Sequence, residues 1–207
     1  MKKFDLLVND HLDAITEEDL LAAIDTLPPW RREKALRFKH LQGRKECTYA
    51  YLLLCQALRD IYGITEQPAF SIGAHGKPRL VLTPEPPAFS SPDVHFNLSH
   101  CRQAVACVVA SCEVGIDIES IGRYKEPLVR HVLNDQELAS VQQAADPQLA
   151  FTRYWTQKEA IVKLTGRGID DDLRNLLLIY NNVSLHTEEH PDKGYVLTVA
   201  TYAPKGE

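Results

Sequence analysis

The chain has 207 residues, 44% hydrophobic and 25% charged, with 23 basic against 28 acidic side chains and a formal net charge of −5. That length and balance suit one large domain or two small ones with an ordinary core. They exclude a disulfide-stapled mini-scaffold, a collagen-like rod and a disordered tail, and the negative sum excludes a global field for DNA or RNA.

Residues 1–30 carry two Lys and seven acids. They lack the apolar core of a secretory signal, roughly 7–15 residues long. No apolar run of about 18 residues is present, so no membrane span is expected. The five cysteines, at 47, 55, 101, 107 and 112, form no C-x-x-C pair. Reduced thiols and a cytoplasmic location are therefore expected, with no cysteine metal site.

The charge then reverses. Arg31, Arg32, Lys34, Arg37, Lys39, Arg44 and Lys45 face only Glu33 and Glu46, a local net of +5. This is either a solvated helix face or a landing site for a small polyanion. From Pro28-Pro29 onward, Ala35, Phe38, Leu41, Leu53, Ala57, Leu58 and Ile61 recur at helical spacing, with Gly63 as the C-cap. Gly43 is expected to divide this stretch into two helices or kink one. Residues 83–93 hold four of the twelve prolines and read as a mid-chain loop and subdomain boundary.

Next the period changes to two. His95–Leu98 alternates, Ala104–Ala110 is a continuous apolar run suited to a buried strand, and Val114–Glu119 alternates cleanly. Asn134 and Glu137 form a capping box opening a helix. Asp146-Pro147 opens another, which runs through Phe151, Trp155 and Val162 to Gly166. Leu176–Tyr180 and Gly194–Tyr202 read as strands. The fold class is α+β.

Four constellations could carry chemistry. On a strand, Val114, Ile116 and Ile118 point into the core while Gly115, Asp117 and Glu119 share the other face. The two carboxylates then lie about 6.5–7 Å apart along the strand. Gly115 would leave room there for a ligand. Such a pair either holds a divalent cation or is two exposed acids on an edge strand. On a helix, Trp155, Glu159 and Lys163 share one face, as a third carboxylate with an anion-facing Lys or as a core Trp beside a surface ion pair. Asn97-Leu98-Ser99-His100 ends a strand with a hydroxyl, an N–H and an imidazole, a phosphate site or a plain turn. Gly76-Lys77-Pro78 lacks the flanking pattern of a P-loop and reads alone as a turn. Together these describe carboxylates for Mg²⁺, basic groups for phosphates and no covalent nucleophile. That combination points to phosphoryl chemistry on a nucleotide-like diphosphate.

The ordered set GKP (76–78), FNLSH (96–100), VGIDIE (114–119) and FTRYWTQKEAIVKLTGRGI (151–169) resembles the Sfp-type 4′-phosphopantetheinyl transferases. PPWRREKALRF (28–38) is similar to that family's basic segment. The resemblance implies a pseudo-dimer of two similar α+β halves, here 1–103 for coenzyme A phosphate contacts and 104–207 for the metal carboxylates and catalytic helix. It implies transfer of phosphopantetheine from coenzyme A to a serine of an acyl or peptidyl carrier protein, with release of adenosine 3′,5′-bisphosphate. By matching motifs, Asp117, Glu119 and Glu159 would be the Mg²⁺ ligands, with Mn²⁺ as an alternative ion. Lys163 would contact the pyrophosphate, Lys77, Ser99 and His100 would bind coenzyme A phosphates, and Arg31 and Lys34 the 3′-phosphate. Glu159, with Asp117 second, would act as base. One departure stands out. Where the family often carries Arg followed by a hydroxyl residue, this chain has Glu46 and Cys47, with Arg44 or Lys45 as substitutes after a small shift. A monomer is expected, without nucleic-acid or membrane partners. The alternatives are a catalytically silent coenzyme A- or carrier-binding module and a different Mg²⁺ enzyme such as a nuclease.

Overall fold

A computed structural model describes residues 4–73, 76–81, 93–122, 124–166 and 172–203. Most of the proline-rich loop expected at 83–93 and the Arg167–Ile169 part of the last motif lie outside the described residues. The elements alternate helix and strand irregularly, the α+β arrangement expected. Strand β1 (Asp5–Asn9) precedes helices α1 (Glu17–Asp25), α2 (Pro29–Leu36) and α3 (Leu41–Tyr62). A hairpin follows, β2 (Ala69–Ile72) and β3 (Pro78–Val81), and then β4 (His95–His100), β5 (Val105–Ala110) and β6 (Val114–Ser120). Helices α4 (Glu126–Val132), α5 (Asp135–Gln143), α6 (Pro147–Thr165) and α7 (Leu176–Ile179) lead to β7 (Val183–His190) and β8 (Tyr195–Tyr202).

The strands form antiparallel sheets in the orders β1-β5-β4, β2-β3 and β6-β8-β7. β5 explains the continuous apolar run. Val105, Cys107 and Val109 pack against Leu54, Ala57 and Leu58 of α3. Ala106 and Val108 pack against Ile116, Ile118, Leu197 and Val199 of the β6-β8-β7 sheet. A strand buried on both faces cannot alternate. By pairing, β5 belongs with β1 and β4, so the first sheet extends past residue 103 to Ala110.

The two larger sheets meet where β4 lies beside β6. β6 is an edge strand of its own sheet, and its outward N–H groups need acceptors. Asn97 Oδ1 accepts from Ile116 N at 3.1 Å, and Ser99 Oγ accepts from Ile118 N at 3.3 Å. Side chains here substitute for a backbone ladder.

The capping box at Asn134 and Glu137 forms, Asp146 caps α6, and Gly63 and Gly166 end their helices in left-handed conformation at φ 68° and 64°. Other expectations need correction. The long basic helix breaks at residues 37–40, and Gly43 lies inside α3, where a Cβ would sit 2.7 Å from Phe38 Cδ1. Gly43 therefore admits the Phe38 ring. Leu176–Ile179 is a helical turn. Asp172 caps the short 3₁₀ turn before it, accepting from Arg174 N at 3.1 Å, and a four-residue apolar run suits either period. The strand beside it is β7, where half-buried Val183, Leu185 and Thr187 alternate with exposed Ser184 and His186 before the pattern stops at Glu188. β1 and the β2–β3 hairpin are too short to show a period of their own, whereas α1 carries a Thr16–Asp19 capping box and Leu20, Ile24 and Leu27 at helical spacing, a local signal absent from the expectations above.

Candidate active site

α6 lies almost in backbone contact with β6, and Gly115 is the reason. A Cβ at Gly115 would overlap Ala160 O and Leu164 N, and would be 2.9 Å from Leu164 Cα. The space expected there for a ligand is filled by helix backbone. This is a correction, because the missing side chain serves helix packing. The close approach sets the Trp155–Glu159–Lys163 face of α6 over the Asp117 and Glu119 face of β6.

Three contacts tie the two faces together. Trp155 Nε1 donates to Glu119 Oε1 at 3.1 Å. Lys163 Nζ donates to Asp117 Oδ1 at 2.7 Å and to Ser99 Oγ at 2.8 Å. Ser99 Oγ donates to Asp117 Oδ1 at 3.1 Å. Burial raises the Glu159 carboxyl above its ordinary range, the negative charges of Asp117 and Glu119 raise it further, and Lys163 opposes them. Glu159 thus feels both strand carboxylates.

Charge at this junction is unbalanced, with three acids against the Lys163 ammonium. Asp117 is 3% exposed, and its buried Oδ2 has no hydrogen-bond partner among the described residues. A buried carboxylate oxygen without a partner is costly, and a hard cation would satisfy it. Among the described residues no three His, Cys, Asp or Glu groups already close around one point as a metal cage. Mg²⁺ does not require one, since it takes one or two carboxylates together with substrate phosphates and water. An all-oxygen donor set with an orphaned oxygen therefore fits a divalent hard cation.

Beside these acids opens a cavity of about 650 Å³. Trp30, Tyr51, Phe70 and Phe96 wall it, and Arg31, Lys34, Glu46 and His100 line it as well. Arg31 packs its guanidinium over the Tyr51 ring at 5.2 Å and donates Nη2 to Cys47 O at 2.6 Å, while its buried Nε has no partner among the described residues. His100 stands between cavity and carboxylates. Its Nδ1 lies 3.1 Å from Glu46 Oε2, and it feels the charges of Lys163, Asp117 and Arg31. Burial, the largest influence, pulls its pKa down, and Glu46 pushes it up.

The structure thus brings together Asp117, Glu119, Glu159 and Lys163, and sets Arg31, Lys34 and His100 around the adjoining cavity. Two residues expected on phosphates also hold protein partners. Lys77 Nζ donates to Glu113 Oε2 at 2.7 Å, Leu164 O at 2.9 Å and Val114 O at 3.3 Å. It clamps the β2–β3 hairpin to the start of β6 and the end of α6. The Ser99 hydroxyl donates to Asp117 and accepts from Lys163 and Ile118, so it orients the carboxylate. Neither Arg44 nor Lys45 is among the cavity-lining residues. Their side chains donate to Phe38 O and Leu12 O, both at 2.9 Å. The aromatic walls have no counterpart among the sequence expectations. Phe70 sits on a hairpin that no local pattern announces, and nothing near it in the chain joins it to Trp30 or Phe96.

A sequence model of the 4′-phosphopantetheinyl transferase superfamily matches residues 113–200, the stretch holding all three carboxylates and Lys163. The chain is 27% identical to a 4′-phosphopantetheinyl transferase of Bacillus subtilis, the match covering 98% of this chain and 87% of that protein. It is 29% identical to a 4′-phosphopantetheinyl transferase of Bacillus pumilus, covering 93% and 82%. It is 31% identical to one from Nostoc sp., covering 73% and 63%. The chain belongs to the 4′-phosphopantetheinyl transferase superfamily and is an enzyme of that kind.

Proposed function

We propose that this enzyme moves the 4′-phosphopantetheine group from coenzyme A to a serine of an acyl or peptidyl carrier protein. Adenosine 3′,5′-bisphosphate is released, and Mg²⁺, or Mn²⁺ in its place, is required. The observation that carries this reading is the buried Asp117 Oδ2, which has no hydrogen-bond partner among the described residues, on a carboxylate whose charge, with that of Glu119, acts on Glu159, next to a basic, aromatic-walled cavity. The acting unit is a single chain in the cytoplasm. Its two halves divide at the β5–β6 turn, the first supplying the cavity and the second the carboxylates. No helix among the described residues is long and apolar enough to cross a membrane.

The adenosine end of coenzyme A enters the cavity between the aromatic walls. Arg31 and Lys34 meet its 3′-phosphate, and His100 lies on the side nearer the pyrophosphate. Lys163 keeps a third N–H and is 29% exposed, so it can reach the pyrophosphate without leaving Asp117. Asp117 through Oδ2, with Glu119 and Glu159, would hold the divalent ion, which supplies charge neutralisation at the pyrophosphate when bound. The carrier serine attacks the β-phosphorus in line. The new ester P–O bond forms as the anhydride P–O bond breaks, and the bisphosphate leaves against Lys163. Phosphoryl transfer asks chiefly for positioning and electrostatics. A serine hydroxyl must also lose its proton. Glu159, whose carboxyl burial and the neighbouring acids raise above the usual carboxylate range, is the proposed base, and Asp117 is second. Ser99 and Lys77 act as positioning residues.

The test is mass spectrometry of a panel of apo acyl and peptidyl carrier proteins after incubation with coenzyme A and Mg²⁺. The expected result is a gain of the phosphopantetheine mass on at least one carrier, abolished by chelation. If coenzyme A raises the melting temperature but no carrier gains mass, the chain is a silent binding module and the proposal falls.

A further inference from the structure

Glu46 is the unexpected lining residue, because a carboxylate in a cavity built for a polyanion repels the ligand unless its charge is spent. The structure spends it. Glu46 Oε1 accepts from Gln42 Nε2 at 2.8 Å, and the same amide donates to Arg102 O at 2.9 Å. Gln42 and Glu46 are one turn apart on α3, so the amide clips that turn to the chain just past β4. Oε2 meets His100 Nδ1 at 3.1 Å, with the Glu46 side chain only 16% exposed and that of His100 52% exposed. At that distance Nδ1 carries its proton, since two facing lone pairs would repel. Nε2, the ring's second nitrogen, is then left for a ligand. Among the described residues no ion pair joins Glu46 to Arg31 or Lys34, which keep their charge for the cavity.

We infer that Glu46 is a positioning residue that holds Nδ1–H of His100 and so turns Nε2 toward the cavity, where the ring, protonated on both nitrogens once a phosphate of coenzyme A is bound, donates Nε2–H to that phosphate. This rests on coenzyme A as the ligand of the cavity. The sign of the effect decides the matter. A repelling acid, once removed, improves binding, whereas a positioning acid, once removed, weakens it.

Calorimetric titration with coenzyme A would compare the wild type, Glu46→Gln, His100→Ala and the double variant. Gln keeps the size and an acceptor oxygen while losing the charge. Loss of one charge-assisted contact predicts binding about tenfold weaker in E46Q. His100→Ala should weaken binding similarly. In the H100A background E46Q should weaken it no further, because Glu46 then has nothing to hold. Melting temperatures of both single variants should stay near the wild type, which separates this effect from unfolding. Wild-type protein that does not bind coenzyme A would sink the ligand assignment itself. Wild-type binding with E46Q equal or tighter, or with the two losses simply additive, would overturn the role of Glu46 alone.

Discussion

Lys158 offers the sharpest test of how the catalytic helix is held. Its side chain is fully buried, and the three N–H groups of Nζ are shared among Glu137 Oε2 at 2.6 Å, Val132 O and Leu173 O at 2.8 Å, and Arg174 O at 3.0 Å. One ammonium thus gathers the end of α4, the start of α5 and the turn before α7 onto the back of α6. Burial lowers its pKa and Glu137 opposes that, so the charge persists only because it is surrounded by acceptors. In Lys158→Met the Glu137 carboxylate is left in a site 9% exposed, keeping only its capping-box bond from Asn134 N. Stranding one member of a buried pair costs about 3–5 kcal/mol. Three carbonyls lose a donor as well, which favours the upper end of that range. For a domain of this size the loss corresponds to a melting temperature lower by roughly 6–20 °C. Lys158→Met with Glu137→Leu removes the stranded acid and should recover part of the loss, but not all, because the carbonyls remain bare. Urea unfolding followed by circular dichroism reads both variants. A single variant within about 1 kcal/mol of wild type, or a double variant no better than the single, would refute the reasoning.

Three further outcomes follow from the same geometry. Glu159→Gln should abolish holo-carrier formation in the mass-spectrometric assay yet melt no lower than wild type, since it relieves repulsion from Asp117 and Glu119; a drop in stability would contradict that electrostatic account. Gly115→Ala should destabilise by about 3 kcal/mol or more in urea unfolding, the upper end of overpacking costs, because the clashing atoms are Ala160 and Leu164 backbone rather than flexible side chains. Asp10 accepts from Lys193 Nζ at 2.7 Å and Tyr195 Oη at 3.0 Å, which ties the end of β1 to β8 and its turn, and the Lys193 bond lowers the Asp10 pKa. A lowered folded-state pKa stabilises above the unfolded value near 3.9, and that stability is lost as pH falls through the folded value. Asp10→Asn should therefore melt lower than wild type near pH 7, with the gap closing below about pH 4 in thermal scans.

Local chemistry is legible in the amino-acid sequence alone. The capping box at Asn134 and Glu137, the Asp146-Pro147 start, the glycine stops at 63 and 166 and the alternation of 114–119 all follow from backbone geometry a few residues long. So does the sidedness that puts Asp117 and Glu119 on one strand face, and Trp155, Glu159 and Lys163 on one helix face. Leu176–Ile179 escapes that reading because four apolar residues fit both periods, and β7 because its alternation runs only from Val183 to Thr187. What only the tertiary structure decides is which faces meet. Periodicity says that a face exists, but not what lies across from it, since the partner is set by packing between segments dozens of residues apart. Hence Gly115 admits a helix rather than a ligand, Ser99 and Lys77 hold protein partners, and Glu46 finds His100. The carboxylates of β6 acquire the third from α6 only because the two backbones approach at one glycine.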